Sequence, residues 1–326
     1  MPSDIKRALR LQNEQAVASQ KDNSLGFLSK LEKREATEMS NRQMQEDLAS
    51  GKYRKPKMVP IIWDLQHGDL YFGSTTLGHI EQLHKIMRDS FGVELDQMTA
   101  GALARQLSPA RTDIEDLRPS AFTAPPEGVD DCREDGVGVQ DISIPFVPWT
   151  AASVDIKDFL GNEFLIWLWW LCEAHEGMVE LDVQGQARKD NIGILFDKTL
   201  QMDCAWGVGG KQTLKGDGPT RLAEADKALT TGKWPRKAGL IVADSDSGEQ
   251  WELTFAADQM VLSGVKLPPI EEAQSPRELT ELKITSTIRI SEIFKSMFGQ
   301  FVTQRLAPSW QTTRQQMVRW IKDRHR

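Results

Sequence analysis

The sequence predicts an α+β fold: antiparallel hairpin sheets covered by helices, with a protruding N-terminal helical arm. Three observations lead there. Polar segments with sparse apolar residues at helical spacing occupy the N-terminus. Two pairs of apolar runs, over 58–74 and 238–256, are each broken by a short turn and read as hairpins. The run 158–170 packs three of the chain's ten tryptophans into one apolar helix.

Taken in order, residues 5–48 are rich in Gln, Glu, Lys and Arg, with Leu9, Leu11, Leu28, Leu31 and Met44 as a thin apolar stripe. Two helices joined near Asn23, Ser24, Leu25 and Gly26 satisfy that pattern, and so thin a stripe suits an arm better than a core. In the first hairpin Val59, Ile61 and Trp63 run out, residues 66–69 turn, and Leu70, Tyr71 and Phe72 return. A helix follows, with Leu77, Ile80, Leu83, His84 and Met87 on one face and Gly92 just past its end. Residues 108–147 carry abundant Pro, Asp and Gly, with Pro125, Pro126, Glu127 and Gly128 at their centre, and read as an acidic linker or an irregular surface loop.

The tryptophan helix starts after Asp155 or Asp158, either of which can accept hydrogen bonds from first-turn N–H groups. It is apolar around nearly its whole circumference, so it is buried; about a dozen apolar residues fall short of the roughly 20 needed to cross a bilayer. Strands are expected at 179–183 and 192–196, and a short helix between Pro219 and Gly232. Strands at 238–243 and 251–256 flank the turn 245–248. From Leu279 a helical pattern runs through Ile293 to Phe294, Met297, Phe298 and Phe301, an apolar inventory large enough for an exposed tail to form a dimer surface. The expected organisation is a helical arm over 1–56, a central hairpin-helix region with its linker over 57–150, and a C-terminal α+β region with a basic helix over 151–326.

Composition narrows the function. Hydrophobic content of 40% and charged content of 27% are ordinary for a globular chain. Three widely spaced cysteines, Cys132, Cys172 and Cys204, without CxxC spacing, fit a reducing compartment, and the expectation is a cytoplasmic protein. The net charge is -7, yet it is segregated. From Arg289 to Arg326 eight cations face two acids, 8 - 2 = +6, and Lys52, Arg54, Lys55 and Lys57 form a second basic cluster. Acids gather at Asp130, Asp131, Glu134 and Asp135.

Motifs for chemistry are weak. The stretch from Gly207 to Thr213 fails as a phosphate-binding loop, because Lys211 is followed by Gln212 and the preceding glycine spacing is wrong. It reads as a strand-connecting loop whose lysine can still reach a DNA phosphate. His79 and His84 are five apart, off a common helical face, and Cys172 with His175 makes half a metal site. No nucleophile-base arrangement stands out, and the pairs Asp130/Asp131 and Glu271/Glu272 read as solvated loop charges. Neither a metal nor a cofactor is expected, and no membrane partner.

The phrase DFLGNEFLIWLWW resembles the FLGREFLTWLW signature of the recombination-associated protein RdgC family, with Asn162 where the signature has Arg. Upstream, VPIIWDLQHGDLYFGSTT and IMRDSFGVEL are similar to the family's tryptophan-containing hairpin and following helix. Downstream, AEADKALTTGKWPRKAGLIV and WELTFAADQMVLSGVKLP keep the family's order. The likeness covers about Ile5 to Pro269, and the family's strand-rich segment ahead of the charged helices has no counterpart here, which bears on ring closure. The resemblance implies a nucleoid-associated homodimer closed into a ring around double-stranded DNA, binding without sequence preference and limiting access of RecA-type recombinase in recombination and replication. The basic residues then expected on DNA are Lys52, Arg54, Lys55, Lys57, Lys211, Gln212, Arg314 and Arg319. The alternatives are an exonuclease of DNA recombination and an assembly module without DNA binding.

Overall fold

A computed structural model describes residues 3–19, 28–52, 58–129, 143–182, 189–270 and 273–324. The fold is α+β, with helices and antiparallel sheets. Contacts divide the chain into two compact units, Met1–Ile86 and Met87–Arg326.

In the first unit α1 (Ser3–Ser19) and α2 (Lys30–Ala49) pack together. Their shared stripe is thin: Leu9 and Ala36 are buried, Asn13 Nδ2 donates to the buried Ser40 Oγ at 2.9 Å, and Leu11 and Leu31, expected on the stripe, are exposed. Ser29 and Glu32 cap α2 reciprocally, satisfying two otherwise orphaned N–H groups. The joint expected at Asn23 to Gly26 lies outside the described residues. β1 (Ile61–Asp64) pairs antiparallel with β2 (Asp69–Phe72), Ile61 opposite Phe72. The turn occupies 65–68, one residue earlier than expected, because Asp64 Oδ1 accepts from the backbone N–H of Gln66 and His67 and closes it locally.

α3 (Leu77–Phe91) spans the boundary between the units. Gly92 ends it at φ 66°, a left-handed conformation that lets Gly92 and Val93 donate back to Arg88 and Met87. Leu83 and Met87 are buried, whereas Leu77, expected on the same face, is exposed in the first turn.

The second unit is built on a six-stranded antiparallel sheet: β3 (Met178–Asp182), β4 (Lys189–Cys204), β6 (Lys233–Asp244), β7 (Gln250–Ala256) and β8 (Val261–Lys266) in that order, with β5 (Gln212–Lys215) also paired to β4. Inward positions alternate along β4 and β6: Ile192, Ile194, Phe196, Leu200 and Met202, then Ala238, Leu240 and Val242, all buried. Against them packs α5 (Phe159–Ala174), every residue of which from Phe159 to Trp170 is buried, as all-round apolarity requires. Phe164 is its hub, edge-on to Phe298 at 5.3 Å and to Phe255 at 6.0 Å. Gly161 marks the closest approach: a Cβ there would meet Ala257 O at 1.9 Å.

The remaining helices are α4 (Ala100–Leu107), α6 (Ala223–Thr230), α7 (Pro276–Leu306) and α8 (Trp310–Asp323). Three sequence expectations are corrected here. Asp158 does not cap α5; its carboxylate accepts from Gly101 N at 2.9 Å and so ties α4 to the start of α5, while Asp155 caps the 3-10 turn before it. The stretch 108–147 is no spacer in its described part, since Ile114, Phe122, Val129 and Val147 are buried. Phe294, Met297, Phe298 and Phe301, expected on an exposed tail, are buried in the core of this unit.

Candidate nucleic-acid interface

With α5 and α7 on one face of the large sheet, the other face carries the alternate residues, which are partly or fully exposed: Leu195, Thr199 and Gln201 on β4, Thr213 and Lys215 on β5, Lys237 and Ile241 on β6. Register brings a polar group of these together. Gln201 lies opposite Thr213 on one side and Lys237 on the other, and Thr199 lies opposite Lys215. Lys215 and Lys237 thus flank two threonines and a glutamine, and the exposed Lys211 immediately precedes β5. Lys211, Lys215 and Lys237 are exposed and make no ion pair among the described residues.

A bulge shapes this face. Between Phe196 and Leu200 three β4 residues stand opposite the single Gly239, and Lys198 adopts φ 60°. A Cβ on Gly239 would meet Asp197 O at 2.1 Å, so only glycine lets the bulge sit on β6. The turned-out Lys198 reaches Glu252 at 3.1 Å, and Lys266 reaches the same carboxylate at 2.6 Å. Hydrogen bonds from Lys266 and then Lys198 hold Glu252 below the usual carboxylate range. Lys198 is also 3.3 Å from Asp197, so two lysines and two carboxylates balance there, and the lysines without an ion pair among the described residues sit on β5 and β6.

The sequence-predicted basic residues have different fates. Lys211 is exposed immediately before β5. Gln212 points away from this face, its amide donating to Glu224 O at 3.5 Å and accepting from Lys233 Nζ at 3.2 Å. Arg319 is exposed on α8, whereas Arg314 donates to Ala121 O at 3.2 Å and lines a cavity. Lys52 pairs with Asp47 at 3.2 Å, and Arg54, Lys55 and Lys57 lie outside the described residues, as do Asp130, Asp131, Glu134 and Asp135.

Three of the eight cations of the C-terminal segment are held internally by carboxylates. Arg289 of α7 binds Asp190 and Asp244 of neighbouring strands, Arg305 binds Glu163, and Arg324 binds Glu173 and Asp226 and lies over the Trp169 ring at 4.8 Å. A linear charge count cannot see these pairs. Lys215 and Lys237 were missed for the converse reason, because the face they share exists only once β5 has paired with β4. The signal available was Lys237 in the strand pattern around Ala238.

Asn162, the residue that departs from the family signature, is fully buried and satisfied at both ends: it accepts from Trp149 Nε1 at 2.9 Å and donates to Pro235 O at 3.0 Å. Among the described residues no three His, Cys, Asp or Glu side chains converge to hold a metal ion, and no helix is long and apolar enough to cross a membrane. No protein-family model, curated protein or solved structure matches the chain.

Proposed function

We propose that this protein binds duplex DNA without sequence specificity, in the manner of the RdgC family its motifs resemble, and acts in recombination and replication by occupying DNA that a RecA-type recombinase would otherwise coat. The observation that carries the reading is the sheet face opposite α5 and α7, with Lys215 and Lys237 around Thr199, Gln201 and Thr213 and Lys211 exposed just before β5. Lysines are mobile point charges, suited to phosphates at varied positions. Threonine and glutamine add hydrogen bonds to phosphate and sugar oxygens, which position a protein on the duplex without reading bases. The face presents strands rather than a helix, in keeping with low sequence preference.

The reading extends to a ring-shaped homodimer that encloses the duplex, in which Arg54, Lys55 and Lys57 would add contacts. That extension rests on the family resemblance. A gel-shift titration on two unrelated duplexes, with and without magnesium, tests the proposal: comparable retardation of both, without shortening of the labelled strand, is expected. Absence of retardation at low salt refutes it, and magnesium-dependent shortening would point to the exonuclease reading instead.

A further inference from the structure

On the second unit a cavity of about 310 Å³ opens between the start of α8 and the segment 116–121, lined among others by Arg118, Ser120, Arg305, Trp310, Gln311 and Arg314. Its three arginines are not equivalent. Arg305 is compensated: its Nε donates to the buried Glu163 carboxylate at 2.7 Å and its Nη2 to Arg118 O at 2.8 Å, with the Trp310 ring 5.0 Å from its guanidinium. Arg314 is not. It donates from Nη1 to a backbone carbonyl, its Nε is buried without an acceptor among the described residues, and it has no carboxylate partner there. Arg118, exposed at the mouth, likewise makes no ion pair among the described residues.

A buried guanidinium donor without an acceptor is costly, and proteins rarely leave one so unless a ligand or water completes it. Ser120 adds a hydroxyl: its Oγ accepts from Trp310 Nε1 at 3.3 Å and keeps its own proton to donate. The acid on the lining is Asp116, exposed at the rim, where water screens it.

We propose that this cavity binds a phosphate monoester. Two guanidinium charges without a carboxylate partner among the described residues, from Arg314 and Arg118, match a dianion. The volume lies at the lower end of the roughly 300–1,000 Å³ typical of small-ligand sites. A phosphodiester inside a duplex backbone is flanked by two sugars and carries a single charge, so a free phosphate, a mononucleotide or a terminal 5′-phosphate of DNA fits the concavity better. The site stands independently of any duplex contact on the sheet face.

The test is calorimetric titration of the full chain with inorganic phosphate at constant ionic strength, with acetate as the control anion. Saturable binding of phosphate and not of acetate is expected. Arg314→Lys, which keeps the charge and loses the Nε donor, should weaken binding by at least about tenfold. Arg118→Gln, at an exposed position that does not hold the fold, should weaken it as well. A second arm compares duplexes with 5′-phosphate and 5′-hydroxyl ends. A preference for the phosphorylated end that Arg314→Lys removes assigns the ligand to DNA termini, and no preference assigns it to a free phosphate; both support the site. Absence of saturable phosphate binding up to about ten millimolar, or binding that both variants leave unchanged, overturns it. Changes at Lys211, Lys215 and Lys237 should leave phosphate binding intact, so failure of the duplex reading and failure of this one are distinguishable.

Discussion

Replacing Glu163 by Gln tests how the second unit is held together. Glu163 lies on α5 at 0% exposure, and its two oxygens serve two different segments: Oε1 accepts from Ser120 N at 2.6 Å and Oε2 from Arg305 Nε at 2.7 Å. A glutamine of the same shape keeps one acceptor and turns its NH₂ toward the other donor. It also removes the charge that compensates Arg305, itself 8% exposed. Removing one partner of a buried pair costs about 3–5 kcal/mol. With a urea slope near 3 kcal/mol per molar, the midpoint should fall by roughly 1–1.7 M. Nine of the ten tryptophans lie in Met87–Arg326, the exception being Trp63, so tryptophan fluorescence reports this unit. Adding Arg305→Met to Glu163→Gln should recover part of the loss by removing the stranded cation. A single-variant loss under about 1 kcal/mol would refute the claim that this pair joins α5, α7 and the segment before Phe122.

Other expectations follow from particular contacts. Gly161→Ala drives a Cβ toward Ala257 O at 1.9 Å and should destabilise by at least about 1–3 kcal/mol in the same urea assay. Burial pushes Asp244 up, but hydrogen bonds from Arg289, Asp246 N and Ser247 N outweigh it and hold the carboxyl below its ordinary 3.8. Its stabilising contribution is therefore complete above pH 3.8 and disappears as pH falls through the lower folded value; Asp244→Asn should lower stability at neutral pH and flatten the acid limb in thermal melts across pH 2 to 7. Burial, with Glu173 nearby, pushes the Cys172 thiol up to about 12, so peptide mapping after iodoacetamide at pH 8 should find it unmodified in native protein and modified in urea.

Much of the fold is readable where one periodicity dominates. The all-round apolarity of Phe159–Ala174 fixes a buried helix, and the strand alternation of Ala238 to Ala256 survives as β6 and β7. What escapes the sequence is set by long-range pairing. β5 follows a glycine-rich loop and has four residues, and β8 carries Gly264 at φ 60°, so neither shows a clean pattern until β4 or β7 fixes its register. The stretch around Phe122 looks like a linker because its polar residues outnumber its anchors, yet a few buried side chains and the Ser120 contact to Glu163 hold it to the core. The candidate interface is half legible for the same reason. Lys211 is visible beside its glycines, but Lys215 and Lys237 come onto one face only when β5 and β6 pair with the two edges of β4.

The central claim is that the lysines of the open sheet face neutralise phosphates of duplex DNA. Fluorescence anisotropy on two unrelated duplexes, across a range of salt, measures this directly for the parent chain and for a variant carrying Lys211→Gln, Lys215→Gln and Lys237→Gln. The parent should bind both duplexes within about tenfold, with log affinity falling linearly in log salt. The variant should bind both more weakly, with the magnitude of its slope reduced by about 2.7, near 0.9 for each lost contact. A parent that fails to bind at low salt, or a variant whose slope matches the parent's, would contradict the account.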